Sequence, residues 1–275
     1  MKKFAFLITL GFAFQAIAQT ELSITFAHST LSNGVALQLE AYEYRPEKWN
    51  GHVILMSHGS TGGKTSNIKT SAKYLNISKF ANANGYVFVT YMRKGRGKSD
   101  GEFTEETGKC DTGNLNRELS EAEAQLQQVA EQVMHRHKVN QLILMGHSRG
   151  GFLSSMYASK HPEQISAVIN LAGAWSAACE NRSGFGKYNL EQSAKIFRPQ
   201  LWAYFENDSY FSSNKFNDSD YVWLSKTAED NRLVFKKYGD QGMPDGHSTP
   251  TYKPKDWAAD FFPILNQSLI TGGQK

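Results

Sequence analysis

A serine set between two glycines, Gly146-His147-Ser148-Arg149-Gly150, is an arrangement that lets a hydroxyl act as a nucleophile. The pattern is common by itself, and its surroundings give it meaning. The apolar run Leu142 to Met145 precedes it and a helix-like stretch, Phe152 to Lys160, follows it, so the serine falls on a sharp strand-to-helix turn. Small residues at 146 and 150 allow such a turn to close, because a side chain there would strike the neighbouring strand or helix. The turn lifts the Ser148 hydroxyl above the sheet edge, at a helix start whose dipole favours developing negative charge. The competing reading is a glycine-rich turn with a passive serine, and the strand–turn–helix context favours the nucleophile elbow of Gly146, His147, Ser148 and Gly150.

A serine hydroxyl needs a base to take its proton and a carboxylate to hold that base. Of the eight histidines, His247 lies in Pro244-Asp245-Gly246-His247-Ser248, a loop between the last predicted strand and the last predicted helix, and is the favoured base. His135 and His137 flank Arg136 on a polar helix end and read as solvated, His161 precedes Pro162, and His147 is locked beside the nucleophile. The chain order serine, acid, histidine asks for a carboxylate between 148 and 247 at a strand end. Asp208 satisfies it, just past the strand-like Leu201 to Phe205. Glu206 is the near alternative, although within the strand its longer arm would be buried by neighbours. Asp218 and Asp220 fall in a polar stretch that reads as a solvated loop, and Asp245 is too close in sequence to His247 to orient its ring easily.

Acyl transfer also requires donors for the oxyanion. The segment Met56-Ser57-His58-Gly59-Ser60-Thr61-Gly62-Gly63 follows an apolar strand, and its glycines let backbone N–H groups turn toward a substrate oxygen. The N–H of Ser60 and that of Arg149 form the expected pair. A phosphate-binding loop is the rival reading of Gly59 to Thr65. It fails on spacing, since only three residues separate Gly59 from Gly63 and His58 stands where the pattern needs glycine.

The elements that must hold these residues alternate. Ile24 to Ser29 and Val35 to Tyr44 read as strands of a hairpin with Asn33-Gly34 in its turn. Val53 to Met56, Tyr86 to Met92, Leu142 to Met145, Ile165 to Leu171, Leu201 to Phe205 and Leu233 to Tyr238 are further strands. Helices are expected from about Asn67 to Ala83, at Phe152 to Lys160 and from Asp256 to Ile270. Another follows from Leu119, Ala122, Leu126, Val129, Ala130 and Val133, whose spacing makes one apolar stripe. Strands alternating with helices predict an α/β fold with a mostly parallel sheet covered on both faces.

Composition sets the class. The chain has 275 residues, of which 40% are hydrophobic, 12% aromatic and 20% charged, as in a folded globular domain. Lys2 and Lys3 supply half of the formal charge of +4, so the remainder carries no footprint for nucleic acid. Met1-Lys2-Lys3, the apolar run Phe4 to Phe14 and Ala16-Ile17-Ala18 predict a signal peptide over residues 1–18, so the protein is expected to be exported, periplasmic or secreted, with one domain over 19–275. The apolar run falls short of the roughly 20 residues that span a bilayer, and no membrane span is expected after cleavage. Export places Cys110 and Cys179 in an oxidising compartment, where a disulfide is expected. Closing that loop would stabilise the fold by about 4 kcal/mol. No His, Cys or Asp cluster has ligand spacing, so neither metal nor organic cofactor is implied.

His58-Gly59-Ser60, the elbow at 146–150, Glu206-Asn207-Asp208 and Asp245-Gly246-His247 together resemble the α/β-hydrolase superfamily, most closely its dienelactone hydrolase-like and prolyl oligopeptidase-like branches. The loop Arg93-Lys94-Gly95-Arg96-Gly97-Lys98-Ser99-Asp100-Gly101 is similar to one these enzymes carry after the corresponding strand. The resemblance spans roughly residues 35–270 and implies Ser148 as nucleophile, Asp208 as acid and His247 as base. Two departures narrow it. Dienelactone hydrolases use a cysteine nucleophile, and prolyl oligopeptidases carry a β-propeller that does not fit in this length. Ala174 to Arg198 and Ser209 to Asn231, where a cap would sit, are too short for a full lid. The expected chemistry is cleavage of a carboxylic ester, with a short peptide or amide as the next substrate class. The reading from another class is a binding protein on a hydrolase scaffold, which loss of a triad member would have favoured.

Overall fold

Val53-Ile54-Leu55-Met56 is apolar at every position because both of its faces are covered. Successive side chains of a strand point to opposite sides. Accordingly Val53 and Leu55 enter one hydrophobic cluster, while Ile54 and Met56 enter a second. Leu142 and Leu144 divide from Ile143 and Met145 in the same way. The sheet between these clusters is seen in a computed structural model that describes residues 20–29, 36–60, 69–105, 111–175, 190–195, 198–209, 218–231, 233–240 and 242–272.

Eight strands form the sheet: β1 (Thr20–Ser29), β2 (Ala36–Arg45), β3 (Val53–Ser57), β4 (Val87–Tyr91), β5 (Leu142–His147), β6 (Ile165–Leu171), β7 (Gln200–Phe205) and β8 (Val234–Tyr238). Their spatial order is β1-β2-β4-β3-β5-β6-β7-β8. The first two pair antiparallel, from Thr20 opposite Arg45 to Ser29 opposite Ala36, and β2 runs antiparallel to β4. Every later pairing is parallel. This is the expected mostly parallel sheet with an antiparallel hairpin at its N-terminal edge.

Helices cover both faces. On one side lie α2 (Thr112–His137) and α3 (Arg149–Lys160), and all six stripe residues from Leu119 to Val133 are buried against the sheet. On the other lie α1 (Leu75–Ala83) and α6 (Lys255–Gly272), the latter contributing Trp257, Phe261, Phe262 and Leu265 to the second cluster. Each such side chain, fully buried, contributes about 1.5–3 kcal/mol.

Several expectations need correction. The helix expected from Asn67 starts at Leu75, because Tyr74 is held in the left-handed region at φ 51°. Residues 69–74 instead follow an irregular path that sets the Ser71 hydroxyl on the Glu40 carboxylate at 2.8 Å. Asp218 and Asp220, expected in a solvated loop, begin helix α4 (Asp218–Asn231), whose Leu224, Thr227 and Ala228 are buried along one narrow stripe. His137, expected to be solvated, has its ring 3.2 Å from the buried Glu43 carboxylate on β2. The signal segment 1–18 and both Cys110 and Cys179 lie outside the described residues, as do 176–189 and 210–217 of the cap-like segments. No helix among the described residues is long and apolar enough to cross a membrane.

Candidate active site

Parallel register brings the chemistry to one sheet edge. Ser57 pairs with Tyr91 on β4 and with Gly146 on β5. The loops leaving β3, β4 and β5 therefore emerge side by side, placing His58-Gly59-Ser60 next to His147-Ser148. Further along the same edge, Asp208 follows β7, and a short helix α5 (Thr249–Tyr252) closes the loop that carries His247.

Ser148 sits between β5 and α3 at φ 55°, ψ −124°. A non-glycine residue there costs about 1–3 kcal/mol, sustained only where surrounding bonds fix the backbone. The Ser148 N–H donates to the Leu171 carbonyl at 2.9 Å, and its carbonyl accepts from Phe152 and Ala174, each at 3.1 Å. Both glycines of the motif are obligatory: a Cβ on Gly146 would run into the Gly150 backbone, and one on Gly150 into the Ser57 carbonyl.

The structure brings together the three residues singled out for nucleophile, base and acid. His247 Nε2 lies 2.8 Å from Ser148 Oγ, and its Nδ1 is 3.0 Å from each oxygen of Asp208. Asp208 is fully buried, and the other two are nearly so. With Asp208 ionised, Nδ1 carries the proton, and Nε2 is left to accept one from the serine. Glu206, expected to be buried in the strand, lies just beyond its end instead, is exposed and sits 3.5 Å from Lys237 Nζ.

Neighbouring groups fix the histidine loop. His147 donates Nε2–H to the His247 carbonyl at 2.6 Å, with the two rings 5.1 Å apart. Burial, reinforced by His247, pushes the His147 pKa down to about 3, so this second imidazole stays neutral. Asp245 bonds the backbone of His247. Its carboxylate accepts from the His247 N–H at 2.9 Å and from the N–H and hydroxyl of Ser209 at 3.0 and 2.8 Å, joining the loop of His247 to that of Asp208. Burial alone would raise its pKa, and these three donors hold it below the usual carboxylate range.

Beside the serine, a Cβ on Gly59 would sit 3.1 Å from Ser148 Cβ, so this backbone touches Ser148. The Gly59 N–H donates to the Tyr74 hydroxyl at 3.3 Å, and the Gly59 carbonyl accepts from the His58 ring at 2.7 Å. Arg149 follows Ser148 as the first residue of α3, where helical N–H groups lack intrahelical partners. Residues 61–68 of the loop fall outside the described residues. Tyr74, Arg93 and Glu105 pack behind the site; Arg93 opens the Arg93–Gly101 loop that carries part of the resemblance, whereas Tyr74 and Glu105 have no local sequence signature. A further signal is topological, since parallel neighbours β3 and β4 end together and so emerge with residues 58 and 93 close by. Among the described residues, no group of three His, Cys, Asp or Glu could hold a metal ion.

The profile of the serine aminopeptidase, S33, family matches residues 50–198. The fold is shared with an esterase from Pyrococcus furiosus (TM-score 0.60, 11% identity, covering 92% of this chain and 92% of that one). It is also shared with proline iminopeptidase from Mycobacterium smegmatis (TM-score 0.60, 12% identity, 91% and 100%). A third likeness is to Est1E from Butyrivibrio proteoclasticus with ferulic acid bound (TM-score 0.57, 16% identity, 87% and 97%). No curated protein matches the sequence.

Proposed function

This chain belongs to the serine aminopeptidase, S33, family of α/β-hydrolases, and we propose that it is an exported serine hydrolase that cleaves small carboxylic esters through an acyl-enzyme on Ser148. The observation that carries this reading is the hydrogen-bonded line from Asp208 through His247 to a serine held at φ 55°. Ser148 Oγ attacks the ester carbonyl as His247 Nε2 takes its proton. Asp208 keeps the ring oriented and stabilises the imidazolium. The negative charge on the carbonyl oxygen falls to the N–H groups of Ser60 and Arg149. The tetrahedral adduct collapses by expelling the alcohol oxygen, which receives the proton from His247. Water then repeats the sequence on the acyl-enzyme, releasing the acid and restoring Ser148.

Ester rather than amine-terminated substrate is supported, among the described residues, by the pairing of the carboxylates around the elbow. A peptide N-terminus would need an acidic partner for its ammonium group. Glu105 and Glu118 are paired with arginines, Asp208 with His247, and Asp245 with Ser209 and the His247 N–H. An alkoxide also departs with less protonation than an amine. Export rests on the basic, apolar and small-residue pattern of residues 1–18.

A panel of p-nitrophenyl esters of increasing acyl length, with prolyl and alanyl p-nitroanilides alongside, tests the substrate class on the mature protein. Turnover of short-chain esters well above that of every anilide is expected. Preference for an N-terminal prolyl or alanyl anilide would make the protein a peptidase, and turnover of none would contradict the hydrolase reading.

A further inference from the structure

Behind the two backbone donors assigned to the oxyanion lies a buried charged cluster that ends on one carboxylate. Arg93, fully buried, pairs through Nε and Nη2 with Glu105, the Nη2–Oε2 distance being 3.0 Å. Its Nη1 donates to the His58 carbonyl at 2.7 Å, and Nη2 approaches the Gly59 carbonyl at 3.5 Å. The Arg93 N–H also donates to His58 Nε2 at 3.0 Å. That bond settles the tautomer: Nε2 accepts, so the proton is on Nδ1, which donates to the Gly59 carbonyl at 2.7 Å. Burial, followed by Arg93 and Arg96, holds the His58 pKa well below the usual histidine range, so the ring cannot take a second proton and reverse this bond.

The consequence reaches Ser60. No cis peptide is present among the described residues, and in a trans peptide the N–H points opposite to the preceding carbonyl. With the Gly59 carbonyl drawn to His58 and Arg93, the Ser60 N–H faces the other way, off the charged cluster. On the far side of Glu105 stands Arg149, the other donor residue. Its Nη1 is 3.8 Å from Glu105 Oε2 and 2.9 Å from Glu118, and its guanidinium lies over the Trp175 ring at 4.4 Å. Arg96 Nη2 reaches the same Glu105 oxygen at 3.0 Å.

We propose that Glu105 is a positioning residue of the oxyanion hole, setting the β3 loop through Arg93 and the start of α3 through Arg149 so that the N–H groups of Ser60 and Arg149 converge. The inference rests on the serine-hydrolase reading above. Without the Glu105 charge, Arg93 and Arg96 remain buried and undercompensated, and Arg93 must move to find a partner. Its movement releases the His58 and Gly59 carbonyls and frees the Gly59–Ser60 peptide to turn. A donor lost or displaced by 1 Å costs about 100-fold.

The test compares wild type, Glu105→Gln and Glu105→Asp as full mature chains. For each, kcat and KM are measured on p-nitrophenyl acetate, together with the Kd of phenylboronic acid, whose tetrahedral adduct on serine needs the oxyanion donors. Thermal melting reports the fold. Glu105→Gln is expected to lower kcat by about 30- to 100-fold with KM little changed, and to weaken boronate binding in parallel. Glu105→Asp keeps the charge one methylene short and falls between. A merely structural role would lower the melting temperature without this split between kcat and KM. A folded Glu105→Gln with wild-type kcat and boronate affinity overturns the inference. Should that variant not fold, Glu105→Asp decides on the same criteria. A wild type that neither turns over the ester nor binds the boronate contradicts the hydrolase reading itself, whereas an active wild type leaves only the role of Glu105 at stake.

Discussion

Replacement of Ser148 by alanine is expected to lower ester turnover by about 10⁶-fold, the loss seen when the nucleophile of a serine triad is removed. Among the described residues, the hydroxyl bonds to His247 Nε2 at 2.8 Å. The backbone at 148 is fixed by Leu171, Phe152 and Ala174 through main-chain bonds that alanine retains. The melting temperature should therefore change little, and KM should stay close to wild type where substrate contacts survive. Steady-state kinetics beside a melting curve check both parts. Turnover within about tenfold of wild type would remove Ser148 from the nucleophile role.

Asp208→Asn is expected to lower kcat by up to about 10⁴-fold without unfolding the protein, because an amide can stabilise the wrong imidazole tautomer and cannot offset the imidazolium charge. Both Asp208 oxygens stand 3.0 Å from His247 Nδ1, and the side chain is fully buried, so water cannot replace the lost charge. Glu206→Gln is the internal control. Glu206 is exposed beyond the end of β7 and paired at 3.5 Å with Lys237, and its variant should retain most activity. Kinetics and melting of the two variants together decide the matter, and the reverse pattern would transfer the role to Glu206.

The residues proposed to carry the chemistry are legible in the sequence because their constraints are local or ordinal. Gly146 and Gly150 announce a turn too tight for side chains, and the order serine, acid, histidine narrows the acid to a carboxylate past a strand. The apolar runs at 53–56 and 142–145 marked strands covered on both faces, and the six-residue stripe of α2 marked its buried side. Elements failed where tertiary bonds overrode local pattern. Tyr74 stops α1 short because its hydroxyl meets the Gly59 N–H and Ser71 is drawn to Glu40. Helix α4 was missed because its apolar stripe is short and set among Asp, Ser, Lys and Glu. His137 read as solvated because its partner, Glu43, is distant in sequence on another element. The pairing of Arg93 with Glu105 is hidden for a related reason. Their roles exist only once β3 and β4 lie side by side, and no periodicity along the chain encodes that adjacency.

Ser148 is expected to form a covalent bond with substrate, and a fluorophosphonate tests this without knowledge of the natural ester. The serine oxygen would displace fluoride from phosphorus while His247 takes the hydroxyl proton. Intact-mass measurement followed by peptide mapping should find one adduct per wild-type chain, on Ser148, and none on Ser148→Ala. An unmodified wild type, an adduct mapped to another residue, or equal labelling of Ser148→Ala would contradict the account.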